Sequence, residues 1–91
     1  MTRPSAPADG EPTSYRDLAR GGLGRVLALS GDGEWEAAGA EARHLKVVFA
    51  EAADRFGPIP SQVFDGVLAA CMARDADELS DFAELVGEMF P

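Results

Sequence analysis

The sequence predicts an all-α fold: a small antiparallel bundle of four helices, or of three if the last two are continuous. Three observations lead there. Trp35, Ala38, Ala42, Leu45, Phe49, Ala52 and Phe56 recur three and four residues apart without a miss, which keeps seven apolar residues on one face of a helix. Glycine and proline gather between the apolar stretches, where helices end. Only 24–30 (GRVLALS) is short and apolar enough for a strand, and no other segment offers it a mate to satisfy its backbone groups.

Residues 1–13 contain Pro, Ala, Gly, Ser and Thr and no large apolar residue after Met1. Burial cannot offset their ordering entropy, so they are expected to form a disordered tail. The rest, 14–91, is read as a single domain, because a chain of this size buries only about two-thirds of its unfolded surface and supports one core. Order begins at Ser14, a capping residue with Asp17 in the capping-box position. Tyr15, Leu18, Leu23, Val26 and Leu29 then follow at spacings of three to five. Gly21, Gly22 and Gly24 interrupt that stripe, and each mid-helix glycine costs about 1 kcal/mol relative to Ala. The helix either kinks there or ends near Arg20, and a kink or close helix packing accounts best for the cluster. Helix is preferred over strand for 24–30.

Ser30, Gly31, Asp32 and Gly33 form a turn, with Asp32 or Gly33 placed to cap the next helix and Glu34 and Glu36 at its positive end. That helix is expected to run unbroken over 35–56, roughly 33 Å at 1.5 Å per residue. Val48 widens its apolar face, and Glu51 precedes Arg55 by four, the favourable order for a helical ion pair. Gly57 suits a left-handed cap and Pro58 forbids continuation. After the stiff connector Pro58-Ile59-Pro60, Ser61 can cap a third helix with Val63, Phe64, Val67, Leu68, Cys71 and Met72 on its buried face. Asp75 and Glu78 read as a capping box opening a fourth, with the stripe Leu79, Phe82, Ala83, Val86, Met89 and Phe90. No Gly or Pro separates the two, so a break near residue 74 is preferred over one kinked helix across 61–90.

Charge narrows the partners. Eight Lys plus Arg stand against sixteen Asp plus Glu, a net charge of −8, which repels phosphate and anionic lipid. Direct nucleic-acid and membrane binding are therefore not expected. Nothing approaches eighteen consecutive apolar residues. The lone Cys71 can form no internal disulfide, and the start of the chain does not resemble a secretory or transit signal, so a cytoplasmic setting is expected.

No catalytic, cofactor or metal residues are assigned. His44 is the only histidine and has neither a second ligand nor a carboxylate orienter, which makes it a boundary side chain. Cys71 sits on an apolar face, where a thiol acts as a small hydrophobe with a raised pKa. Counted as a calcium loop from Asp32, the sequence puts Ala37 where glycine is needed and Arg43 where glutamate is needed. The glycine cluster at 21–24 follows a helix and lacks the Lys-Ser/Thr of a P-loop.

The acidity is concentrated at the end: 56–91 hold seven acids and one base. Asp77, Glu78, Asp81, Phe82, Glu84, Glu88, Met89 and Phe90 are the expected partner-binding set, with carboxylates steering and aromatics anchoring. The expected function is a non-enzymatic protein–protein interaction module: a regulator, adaptor, accessory subunit or immunity-type inhibitor binding a basic or hydrophobic surface. Two alternatives are a self-associating helical dimer and an acidic nucleic-acid mimic that blocks a nucleic-acid-binding protein.

Overall fold

The computed structural model describes residues 14–91, so the expected tail over 1–13 lies outside the described residues. These residues form five helical segments and, among them, no strand. They are α1 (Tyr15–Gly31), α2 (Trp35–Glu51), the single turn α3 (Ala53–Phe56), α4 (Ile59–Ala73) and α5 (Ala76–Met89). The four long helices close a ring in which α1 packs on α2, α2 on α4, α4 on α5 and α5 back on α1. One apolar cluster fills the ring, with Val26, Leu45, Phe49, Phe64, Val67, Leu79 and Val86 at its centre.

α1 starts as its sequence dictates: the Ser14 hydroxyl accepts from the Asp17 N–H at 3.1 Å. It then runs without a break through Gly21, Gly22 and Gly24 to Gly31, so 24–30 is helix. The three glycines differ in their surroundings. A Cβ on Gly22 would lie 2.7 and 2.8 Å from the Leu45 Cδ atoms, whereas one on Gly21 or Gly24 would meet nothing within 4 Å. Gly22 is where the backbone of α1 closes on α2; Gly21 and Gly24 are exposed. Arg25 reinforces the pair by donating to Glu41 at 2.8 Å, and that hydrogen bond and charge raise the guanidinium pKa further.

The turn into α2 corrects one expectation. Neither Asp32 nor Gly33 caps α2; Glu34 stands at its N-cap without a side-chain hydrogen bond. The turn instead finishes α1. Glu34 N–H donates to Leu29 O at 2.8 Å and Gly33 N–H to Ser30 O at 3.0 Å, with Gly33 at φ 82°, the paired bonds of a Schellman motif whose left-handed residue is glycine.

A second correction concerns the long helix. The 35–56 stripe does not run straight: Ala52, at φ −99° and ψ 18°, ends α2 after Glu51, and α3 is a separate turn. The cause is the aromatic cluster at this end of the bundle. In an unbroken helix seven residues rise about 10.5 Å, yet the Phe49 and Phe56 rings are 5.7 Å apart, and Phe56 also meets Tyr15 edge-on at 5.2 Å. The break turns Phe56 inward to join Tyr15, Phe49 and Phe90. It also removes the register of the expected Glu51–Arg55 pair, and Arg55 lies instead 5.1 Å from the Tyr15 ring centroid, a cation–π contact. Gly57, at φ 76°, closes this turn as its sequence suggests.

α4 begins two residues before the expected cap. Ile59 opens it and Pro60 sits in its first turn, where the missing N–H costs nothing. The Ser61 hydroxyl donates to Pro58 O at 3.1 Å instead of capping. Met72, counted on the buried face, is 71% exposed. The break between the last two helices is real and sharp. Asp75 N–H donates to Ala70 O at 2.9 Å and Arg74 N–H to Cys71 O at 3.1 Å, a second Schellman motif in which Arg74, at φ 55°, holds the left-handed position. Asp75 then caps α5 by accepting from Glu78 N–H at 3.1 Å, as the sequence indicated.

Candidate functional site

α5 holds its place through one face only. Leu79 and Val86 are buried, Phe90 just past its end is 8% exposed, and Phe82, Ala83 and Met89 are half-buried. Phe82 packs directly on the backbone of α4 because position 66 is glycine: a Cβ there would stand 2.5 Å from two atoms of the Phe82 ring. At the far end the Phe90 ring packs 5.3 Å from Phe49 and 6.1 Å from Phe56. Arg16 and Arg20 of α1 then reach across. Arg16 donates to Pro91 O at 2.7 Å, and Arg20 to Phe90 O at 3.2 Å and Pro91 O at 2.9 Å. Two guanidinium groups at the negative end of a helix match its macrodipole and fix α5 against α1.

The eight residues of the expected partner-binding set therefore separate into two groups. Asp77, Glu78, Asp81, Glu84 and Glu88 are exposed, and among the described residues none of them forms an ion pair. Their spacing places Asp77, Asp81, Glu84 and Glu88 in one row along the outer face. Phe90 belongs to the core, and Phe82 and Met89 offer only their outer edges. The exposed apolar group on this helix is Leu85, 43% accessible, four residues after Asp81 and three before Glu88. Leu85 is absent from the expected set because it lies off the core stripe. It stands at the edge of that stripe, between the core positions Phe82 and Met89 and the row of acids.

Elsewhere the chemistry is sparse. Among the described residues no three or more His, Cys, Asp or Glu side chains converge on a site that could hold a metal ion. His44 is exposed and Cys71 is 1% exposed; burial pushes the Cys71 thiol pKa up. Among the described residues no helix is long and apolar enough to cross a membrane. A cleft of about 690 Å³ opens between the start of α2 and the end of α4. Comparison with known protein families, with characterised proteins and with solved structures finds no match to this chain.

Proposed function

We propose that this chain is a non-enzymatic interaction module, a regulator, adaptor, accessory subunit or inhibitor, that docks through the outer face of α5 onto a basic, partly apolar surface of a protein partner. One observation carries the reading: Leu85 stands exposed among Asp81, Glu84 and Glu88, none of which is paired among the described residues. Unpaired carboxylates raise the encounter rate with a basic partner, and an apolar side chain that is desolvated on contact supplies affinity. Phe82 and Met89 flank Leu85 at three and four residues and widen the apolar strip toward α4. The lone, buried Cys71 agrees with a reducing, cytoplasmic setting.

A nucleic-acid mimic would present two ordered rows of charge, and α5 offers one, so a protein surface is the better fit. Affinity capture at low salt, where steering is strongest, tests the reading. The wild type is compared with the combined variant Asp81→Asn, Glu84→Gln and Glu88→Gln. The expected result is a partner recovered by the wild type, lost with the variant and released as salt rises. Equal recovery by both proteins would overturn the proposal.

A further inference from the structure

We propose that the cleft between α2 and α4 is an interface between two copies of this chain related by a two-fold axis. Its walls are Trp35 on α2 and Met72 on α4. Met72, at 71%, is the most exposed large apolar side chain among the described residues. A methionine left in water beside a tryptophan is the composition of an interface core.

The pattern on α2 selects the occupant. Glu36 and Arg43 are seven residues apart, two turns on one face and about 10 Å along the axis. Midway between them stands Ala40, exposed in the cleft, where a small side chain lets a second helix approach closely. Two α2 helices crossing antiparallel at Ala40 bring Glu36 of each copy opposite Arg43 of the other. That is the self-complementarity an isologous contact requires. Glu34 and Arg74 extend the balance to two acids and two bases, and among the described residues none of the four forms an ion pair. A partner of one charge sign would meet like charge in this cleft; a second copy meets its complement.

No residue of α5 lines the cleft, so the dimer leaves both α5 faces outward, and this interface stands or falls apart from the function proposed above.

Sedimentation equilibrium of the full chain over a concentration series tests the interface. The wild type is expected to shift from 9.6 kDa toward twice that mass. Glu36→Arg and Arg43→Glu, each at an exposed position, should each raise the dissociation constant on the order of tenfold or more with helicity unchanged. Mixed in equal amounts, the two variants should recombine into a heterodimer, because every opposed pair is again of opposite sign. Met72→Lys should also dissociate the dimer. A wild type that stays at 9.6 kDa at the highest concentration overturns the proposal. So does a dimer indifferent to these substitutions, or a mixture that fails to recombine.

Discussion

Alanine substitution at Gly21, Gly22 and Gly24 separates three glycines that look alike in sequence. Each change gains helix propensity, about 1 kcal/mol for a mid-helix Gly→Ala. At Gly21 and Gly24 nothing lies within 4 Å of the new Cβ, so the gain stands alone and both variants become more stable by roughly 0.5–1 kcal/mol. At Gly22 the new Cβ falls 2.7 and 2.8 Å from the Leu45 Cδ atoms, against about 3.5–4.0 Å for a relaxed carbon contact. Leu45 is 0% exposed and has no solvent to swing into, so α1 and α2 must move apart. Overpacking of this kind costs about 1–3 kcal/mol, which after the propensity gain leaves Gly22→Ala destabilised by up to roughly 2 kcal/mol. Thermal unfolding followed by circular dichroism reads the difference, since 1 kcal/mol shifts the midpoint by about 4–8 °C in a domain of this size. The expected order is Gly22→Ala below the wild type, and Gly21→Ala and Gly24→Ala above it. Three variants all more stable than the wild type would refute the close approach of α1 to α2.

Phe49 touches Tyr15, Phe56, Phe64 and Phe90 with no exposure of its own, so Phe49→Ala should cost roughly 3–5 kcal/mol, and urea midpoints within error of the wild type would contradict the aromatic core. Arg74→Gly should stabilise the monomer by roughly 0.5–1 kcal/mol, because relief of a left-handed backbone worth about 1–2 kcal/mol exceeds the added freedom of the unfolded glycine; a loss of stability would mean that the Arg74 side chain holds the turn. Burial raises the Cys71 thiol pKa above its ordinary value of 9.0. The unfolded chain therefore ionises first as pH rises, so this group leaves stability unchanged below pH 9.0 and lowers it above that. Thiol labelling at pH about 8 should be slow in the native protein and fast in denaturant, and rapid native labelling would contradict the burial.

Local signals carried most of the fold. Ser14 and Asp75 cap the helices that their side chains predicted, Gly57 closes the chain where it was expected to, and the stripe from Ala38 to Phe49 lines the core. The departures arise where tertiary contacts overrule a continuous pattern. The three-four spacing runs through Ala52 unchanged, and the helix breaks there as the Phe56 ring joins Tyr15, Phe49 and Phe90. Arg74 carries no turn signal, since the Schellman bonds that end α4 are made by backbone. The candidate site was legible as charge but not as shape: the carboxylates are where their spacing placed them, while Phe90 is drawn into a cluster assembled from four helices. Leu85 and Met72 became visible as exposed apolar groups only once the packed faces of α4 and α5 were known.

The most direct test of the central claim is a map of the bound surface by amide NMR, with the partner recovered in capture added stepwise to the labelled protein. Shifts are expected to concentrate on α5 around Asp81, Leu85 and Glu88 and to diminish as salt is raised. Shifts confined to other helices, with α5 unperturbed at saturation, would contradict that claim.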